Sequence, residues 1–285
     1  MILFIEAGRL ANQLFQYAAL RTAARPGEAL VLLGFDELKQ QFENLDAVFP
    51  LRSRSTLLRA INGSGRPRLD RLMARQPLIS FLHEAHEDNA VAREPRMLRS
   101  VAYCTTSYFQ SEAAFNPAVV TRLRMRSQHV AAARATLDAL ATGERPRVFV
   151  HVRRGDYLHY PSTAHPAALP TAWFRSCLAT MRRRLPDPVF IACTDDRASV
   201  AAEFADEPDV HISRGDAHHD FALMSSCDAG ILSPSSFSWW SAFFAGHRGG
   251  RGPFLAPEYW IGHSTREWYP PGIAASFLEF AGVDR

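Results

Sequence analysis

Two adjacent arginines follow the segment RVFVHV (147–152), which reads as a buried β-strand. Gly155 permits a tight turn directly after them, and Asp156 adds a carboxylate. Successive side chains of an extended segment point to opposite sides, so one guanidinium can reach a ligand while the other packs away from it. We assign Arg153 to an anionic ligand, because a guanidinium binds phosphate through two parallel hydrogen bonds. We expect Asp156 to pair with an arginine or a backbone N–H. The alternative is a simple arginine–aspartate clamp that only holds the turn.

A second candidate site is the pair Ser235 and Ser236, which follows Pro234 and opens a predicted helix. The first N–H groups of a helix have no partner within the helix and lie at the positive end of its dipole, so they can bind phosphate. Ordinary helix capping by serine is the alternative.

Three aspartates flank other predicted strands. Asp195 and Asp196 follow the strand VFIAC (189–193), and Asp228 precedes the strand AGILS (229–233). A carboxylate can accept two N–H donors from the edge of a guanine base. An exposed cap is an equally good interpretation of Asp228.

The elements that position these residues alternate between strand and helix. Strands are predicted at 147–152, 189–193, 209–213, 229–233 and 253–257, and helices at about 171–184, 196–205, 220–227 and 237–246. This alternation indicates a parallel sheet with helical crossovers. Polar clusters follow four of these strands, at the carboxyl ends where open α/β sheets bind ligands: RRGDY, TDD, RGDAHHD and PSS.

The N-terminal part also begins as a β–loop–α unit, with a strand ILFIEA (2–7), Gly8 and a helix through about Ala24. Its loop lacks the GxGxxG spacing of a dinucleotide site. The arginine-rich segment 51–75 is predicted to form helices broken at 62–65, as a solvated face or as a basic surface toward an acceptor or a membrane. After a helix near 128–142, residues 143–146 (Gly143, Glu144, Arg145, Pro146) are the best candidate linker between two domains.

Composition narrows the class of protein. The 285-residue chain is 47% hydrophobic and 21% charged, as in packed globular proteins, and its net charge of +3 does not indicate nucleic-acid binding. Its four widely spaced cysteines fit neither a disulfide framework nor a zinc site. We find no signal peptide and no bilayer-spanning run, so we expect a cytoplasmic protein whose membrane contact would be peripheral, at the inner face.

Metal binding is not expected. The sequence contains no D-x-D motif, the usual metal site for nucleotide sugars. His218, His219 and Asp220 could suggest a metal site, but the two histidines are adjacent, and adjacent residues do not share one helix face.

Three stretches together resemble the bacterial α-1,2-fucosyltransferases of glycosyltransferase family 11: GRLANQLFQYA (8–18), HVRRGDY (151–157) and SSCDAGILSPSSFSWWSAFFAG (225–246). The H-x-R-R-G-D segment is also similar to the donor-site motif of α-1,6- and protein O-fucosyltransferases. The resemblance implies a GT-B-like α/β fold, with two Rossmann-like domains facing across a cleft. Residues 1–145 would form the acceptor-side domain and residues 146–285 the GDP-sugar-binding domain.

The same resemblance implies an activity. It is the inverting, metal-independent transfer of fucose from GDP-fucose, without a cofactor, to a terminal galactose of a bacterial surface glycan through an α-1,2 linkage. Arg153 would contact the donor diphosphate, and His151 would lie near the ribose, fucose or guanine. Asp228 would read the guanine edge, and Asn12 would approach the reacting centre from the other domain. Ser235, Ser236 and Phe237 would line the phosphate and nucleoside, and the donor loop would include Arg154, Asp156, Asp195 and Asp196.

One position departs from the family pattern. Family members usually carry glycine where this chain has Ala11. Glycine permits positive φ and close backbone approach. Ala11 therefore bears on the geometry of the acceptor loop and not on the fold.

The implied chemistry suits these residue types. Cleavage of a GDP-sugar builds negative charge on the β-phosphate, and without a metal fixed cations and N–H donors must stabilise it. Glu6, His159 and His165 are candidates for a general base. Two other functions stay open: a related enzyme that uses another nucleotide sugar, and an inactive nucleotide- or glycan-binding protein.

Overall fold

The computed structural model describes residues 1–85, 89–140, 144–250 and 252–283. The chain forms two compact units, Met1–Arg126 (unit 1) and Ser127–Arg285 (unit 2). The sequence places the boundary later, at 145/146. The observed boundary comes earlier because helix α6, Ser127–Ala139, packs against helix α9, Ala217–Met224, within unit 2. Gly143 of the predicted linker lies outside the described residues.

Unit 1 is built on a five-stranded sheet with the order β2-β1-β5-β3-β4. Its strands are β1 Ile2–Ile5, β2 Leu30–Leu33, β3 Ile79–Glu84, β4 Val91–Glu94 and β5 Leu98–Cys104. Its helices are α1 Leu10–Ala23, α2 Asp36–Gln41, α3 Thr56–Ala60, α4 Arg66–Arg75 and α5 Pro117–Thr121. Among the described strands of this sheet, β4 alone is antiparallel to its neighbour. Because β1 and β5 are parallel neighbours, the loops that follow them lie at the same edge of the sheet.

The arginine-rich segment does not contain the predicted break. A π-helical turn, Ile61–Gly65, joins α3 to α4 in one helical path. The reason lies at the junction, where Arg66 is buried and donates hydrogen bonds to the carbonyl of Ile5 at 2.7 Å and to Asn62 Oδ1 at 3.0 Å. These contacts hold the turn in place despite its glycines.

Unit 2 contains a six-stranded, wholly parallel sheet with the order β11-β10-β9-β6-β7-β8. Its strands are β6 Arg147–Val152, β7 Val189–Thr194, β8 Val210–Ile212, β9 Ala229–Leu232, β10 Phe254–Pro257 and β11 Glu279–Ala281. Its remaining helices are α7 Thr171–Arg184, α8 Arg197–Glu203 and α10 Ser236–His247. The predicted strands and helices of this unit are confirmed, and β11 is an additional strand.

The strand order of unit 2 creates a switch point between β6 and β9. From β6 the chain proceeds outward to β7 and β8, whereas from β9 it proceeds in the opposite direction to β10 and β11. The loops after β6 and β9 therefore diverge, and such a crevice at the carboxyl edge is where open α/β sheets bind ligands. Val148, Val150 and Val152 of β6 pack in the hydrophobic core with Phe174 of α7, which anchors this edge. No helix among the described residues is long and apolar enough to cross a membrane.

Candidate functional site

The carboxyl end of β6 carries an arginine held between two carboxylates. Arg153 Nη2 lies 2.5 Å from Asp156 Oδ1, and Nη1 lies 3.1 Å from Asp195 Oδ2. The expected pairing of Asp156 with an arginine is confirmed, and so is the clamp that the sequence offered as an alternative. A guanidinium has five N–H donors, and this side chain keeps 24% of its surface exposed. The clamp therefore orients Arg153 and leaves N–H groups for an anion.

The backbone of this loop is tied to the loop after β9. Arg153 N donates to Ser233 Oγ at 2.9 Å, and Ser233 Oγ donates to the carbonyl of His151 at 2.8 Å. Tyr157 donates its hydroxyl proton to the carbonyl of Pro234 at 3.2 Å. These bonds fix the two sides of the switch point to each other.

Arg154 points away from this edge, as the alternation of an extended segment predicts. It is buried, its Nη1 donates to the carbonyl of Leu169 at 2.7 Å, and its Nε donates to Glu203 Oε1 at 3.1 Å. Thr171 donates to Glu203 Oε2 at 2.6 Å and does not cap α7, where Pro170 holds the cap position. Arg154 is therefore a structural residue of the core edge.

The two aspartates after β7 have different roles. Asp195 Oδ1 accepts the N–H of Arg154 at 2.8 Å, so this carboxylate braces the whole arginine loop. A side chain at Gly155 would place its Cβ 2.5 Å from Asp195 Oδ2, which explains the glycine. Asp196 instead caps α8 by accepting the N–H of Ser199 at 3.2 Å. Asp195 therefore belongs to the candidate site around Arg153, whereas Asp196 is the N-cap of α8.

His151 is buried beside Arg153 and packs on Phe237, with ring centroids 5.6 Å apart. Its Nδ1 has no hydrogen-bond partner among the described residues. Burial, and then the positive charge of Arg153, lower the pKa of His151 to about 3. The imidazole is therefore neutral near pH 7, and Arg153 supplies the positive charge at this edge.

Helix α10 starts at the same edge. Ser235 Oγ accepts the N–H of Phe237 at 3.3 Å, so the capping interpretation of this serine is confirmed. Ser236 is the first residue of the helix, and Ser238 donates to the carbonyl of Ser233 at 2.9 Å. The positive end of a three-turn helix thus lies beside the loop that carries Arg153.

Asp228 lies at the opposite edge of the sheet. Its Oδ2 accepts the N–H of Arg147 at 2.8 Å, and its own N–H donates to the carbonyl of Arg147 at 2.8 Å. Arg147 begins β6, so Asp228 is at the amino ends of the strands, roughly 16 Å along β6 from its carboxyl end at 3.3 Å per residue. The prediction that Asp228 reads a base at the ligand edge is therefore wrong.

Asp220 in α9 is a buried carboxylate that the sequence analysis considered only as a possible metal ligand. Its Oδ1 accepts from the hydroxyl of Ser213, which follows β8, and contacts His219 Nδ1 at 3.1 Å. Burial raises the pKa of Asp220 above its ordinary value. The next residue, Phe221, packs edge-on against Phe237, with centroids 5.4 Å apart. The sequence signal was an aspartate at the head of an apolar helical run, DFALM.

No three His, Cys, Asp or Glu side chains group to hold a metal ion in the part of the chain that the structure describes. His219 Nε2 instead contacts Thr136 Oγ1 of α6 at 2.9 Å. The expectation of metal-independent chemistry stays a prediction.

In unit 1, the loop after β1 positions Asn12 in the first turn of α1. Gly8 has φ +77°, and a Cβ there would lie 2.4 Å from Asn12 Nδ2, so this close approach requires glycine. Gln110, which follows β5, donates from Nε2 to Asn12 Oδ1 at 2.8 Å and so sets the orientation of the amide. Ala11 is buried within the helix, where alanine fits. Sequence reasoning did not find Gln110.

Glu6 stabilises the start of the same loop, directly after β1. Its Oε2 accepts hydrogen bonds from Gln13 Nε2 at 2.9 Å, from Phe35 N at 2.6 Å and from Ser53 Oγ at 2.8 Å. Burial raises the pKa of this carboxyl. Three donors on one oxygen identify Glu6 as a brace of the loop.

Solved structures of similar fold include fucosyltransferases. Fucosyltransferase NodZ from Bradyrhizobium has a TM-score of 0.52 and 17% identity, covering 85% of this chain and 92% of that chain. POFUT1 in complex with GDP-fucose has a TM-score of 0.53 and 12% identity, covering 90% and 96%. This likeness confirms the predicted GT-B-like α/β fold.

Sequence relatives cover a smaller part of the chain. Galactoside alpha-(1,2)-fucosyltransferase 1 of Homo sapiens is 33% identical over 119 residues, which is 37% of this chain. The enzyme of the same name from Lagothrix lagotricha is 33% identical over 117 residues. The chain spans only 31% of the length of these relatives. Residues 5–251, however, match the family described as glycosyl transferase family 11. The chain belongs to glycosyl transferase family 11.

Proposed function

We propose that this chain transfers fucose from GDP-fucose to a terminal galactose of a glycan, forming an α-1,2 linkage by an inverting displacement without a metal ion. The sequence relatives named above are galactoside alpha-(1,2)-fucosyltransferases, and POFUT1 was solved with GDP-fucose. The observation that carries the proposal is the Arg153 guanidinium, oriented by Asp156 and Asp195 beside the start of α10.

The first requirement of this reaction is stabilisation of the leaving diphosphate. As the bond to the anomeric carbon breaks, negative charge builds on the β-phosphate. Arg153 supplies a fixed cation, and the first turn of α10 supplies the positive end of a dipole. Because both are held by the fold before the donor binds, they need little rearrangement as the charge develops.

The second requirement is recognition of the base, which we assign to Asp220 in place of Asp228. Guanine presents N1–H and N2–H₂ as donors, so its partner is an acceptor. Both side-chain contacts of Asp220 use Oδ1, which leaves Oδ2 to accept. Phe237 packs between the rings of His151 and Phe221, which are buried, and it is itself partly exposed, so it offers an apolar face to a nucleoside.

The third requirement is attack by the acceptor hydroxyl on the face opposite the leaving group. A β-linked fucosyl donor then gives an α-linked product. Asn12 is the proposed polar contact on the acceptor side, and Gln110 fixes its amide. Placement of this reaction in bacterial surface-glycan synthesis stays a prediction of the sequence resemblance.

A donor panel tests the proposal. Thermal unfolding is measured with GDP-fucose, GDP-mannose and UDP-galactose, since a ligand that binds only the folded state raises its stability. We expect the GDP compounds to raise Tm and UDP-galactose to have little effect. A preference for UDP-galactose would indicate the alternative enzyme that uses another nucleotide sugar. Binding of GDP-fucose without transfer of fucose would indicate the alternative of an inactive binding protein.

A further inference from the structure

We propose that unit 1 binds the surface of an anionic lipid bilayer through the outer face of α4 and the chain segments beside its last turn. We call this the Arg–Leu surface. It consists of Arg68, Arg71, Leu72, Arg75, Leu78, Met97 and Leu98. The proposal does not depend on the donor or on the acceptor assigned above.

The helical part of this surface follows from residue spacing. Positions 68, 71, 72 and 75 are three or four residues apart, so their side chains share one face of α4. The face is exposed, and Leu72 keeps 64% of its surface in water. Leu69 and Met73 are partly buried on the inner side. Three arginines therefore surround an unpacked leucine.

Hydrogen bonds place the apolar part of the surface beside the last turn of α4. Arg96 Nη1 donates to the carbonyl of Met73 at 2.9 Å, and its Nη2 donates to that of Ala74 at 2.6 Å. Leu98 N donates to the carbonyl of Leu78 at 2.7 Å. Met97, between Arg96 and Leu98, is 74% exposed. Exposed leucine and methionine residues thus lie on the chain segments that are hydrogen-bonded to the last turn of α4 or to each other.

The charge of the Arg–Leu surface indicates which partner it binds. Among the described residues, no carboxylate pairs with Arg68, Arg71 or Arg75, and the one bond of Arg71 goes to the carbonyl of Pro67 at 3.2 Å. Unpaired guanidiniums fit the phosphates of lipid headgroups. Exposed leucine and methionine fit the acyl boundary just below the headgroups, as in helices that lie in a membrane interface. A nucleic acid would use the arginines and gain nothing from these apolar side chains.

The surface is fixed to the rest of unit 1 at the start of α4. Arg66, the first residue of the helix, donates to the carbonyls of Ile5 at 2.7 Å and Glu6 at 3.2 Å. These two residues lead from β1 into the loop of Gly8 and Asn12. A bilayer bound at α4 is therefore mechanically connected to the loop that we assign to the acceptor side.

The test is co-sedimentation of the full chain with vesicles. Vesicles of phosphatidylcholine alone are compared with vesicles that contain an equal part of phosphatidylglycerol, at about 0.1 M and about 1 M salt. One variant removes the charges (R68Q, R71Q and R75Q together), and another removes the apolar contacts (L72S and M97S together). A matched control, R124Q, R134Q and R183Q together, removes three exposed arginines elsewhere. Thermal unfolding of each variant checks that it is folded.

We expect binding to the anionic vesicles only, and less of it at high salt. The charge variant should lose about 100-fold in partition coefficient, since each arginine near an anionic surface contributes about 1 kcal/mol. The apolar variant should lose about tenfold, and the control should bind like the unchanged chain. Absence of binding at low salt would overturn the proposal, as would an equal loss in the control. Full binding by the apolar variant would also overturn it, because the surface would then bind polyanions in general.

Discussion

The carboxylate of Asp195 joins the guanidinium of Arg153 to the backbone of the following residue. Its Oδ2 lies 3.1 Å from Arg153 Nη1, while its Oδ1 accepts the N–H of Arg154 at 2.8 Å. A single side chain after β7 therefore fixes both the path of the loop after β6 and the direction of its arginine. The cation at the switch point is oriented before any ligand is present.

Arg153→Ala should lower kcat by about 10²–10³-fold, the usual effect of removing one fixed donor to a developing negative charge. Arg153→Lys should recover little, because an ammonium cannot reproduce the planar fork of a guanidinium. Steady-state kinetics with GDP-fucose is the measurement. The matched control is Arg183→Ala, which removes an exposed arginine at the end of α7. Near-normal kcat in a folded Arg153→Ala protein would remove Arg153 from the reaction.

Asp220→Asn should weaken GDP binding by about 1.5–3 kcal/mol, the typical contribution of a hydrogen bond to a charged group. UDP binding should change less, because uracil has no second N–H donor on the corresponding edge. Asp228→Asn is the control, since Asp228 is bound to Arg147 at the other edge of the sheet. Calorimetric titration of both variants with both nucleotides makes the comparison. If Asp228→Asn weakens GDP binding more than Asp220→Asn does, Asp228 and not Asp220 recognises the guanine.

Gln110→Glu should reduce kcat by roughly tenfold or more if Asn12 acts through its amide group, which corresponds to at least 1.4 kcal/mol. Gln110 now donates to Asn12 Oδ1. A carboxylate at that position can only accept, so the Asn12 amide would turn to donate to it and present its oxygen instead. Gln110→Ala removes the donor without adding a competing acceptor and should cost less. We expect KM for GDP-fucose to stay unchanged in both. Equal kcat in the two variants would show that amide orientation is not used.

His151 should make the protein less stable in mild acid. Its pKa falls from 6.5 in the unfolded chain to about 3 in the fold, so the unfolded chain binds more protons between these values. The contribution of His151 to the free energy of unfolding is therefore complete above pH 6.5. It falls by about 1.4 kcal/mol per pH unit as the pH falls toward 3.

His151→Phe should abolish this contribution. Free energies of unfolding in urea, measured at about pH 7 and about pH 5, should fall by about 2 kcal/mol more for the unchanged chain than for the variant. Equal losses would mean that His151 is already protonated in the fold at the lower pH.

The sequence predicts most of unit 2 because its signals are local. Apolar runs alternate with helical segments, and RRGDY follows a strand directly, so Arg153 and Asp156 could be placed at a strand end. The same alternation predicts that Arg154 packs away from Arg153. The clamp by Asp195 was less apparent, since it joins residues on separate strands.

The remaining features depend on chain direction and on distant contacts. Asp228 is close in sequence to Ser235, yet the strand between them carries it to the opposite edge. Gln110 and Asn12 are brought together only by the pairing of β1 with β5. In unit 1 the polar, antiparallel β4 (VARE) has no apolar run to reveal it. The continuous helix at 56–75 depends on the hydrogen bond from Arg66 to the carbonyl of Ile5 in β1. This contact is distant in sequence, and the local glycines instead predict a break.

The most direct test is analysis of the product. The chain is incubated with GDP-fucose and a β-galactoside, with EDTA in the buffer, and the product is examined by NMR. We predict an α-linked fucose on the 2-hydroxyl of the galactose, formed at the same rate with and without EDTA. A β-linked fucose, turnover only with another nucleotide sugar, or complete loss of activity in EDTA restored by Mg²⁺ or Mn²⁺ would contradict the account.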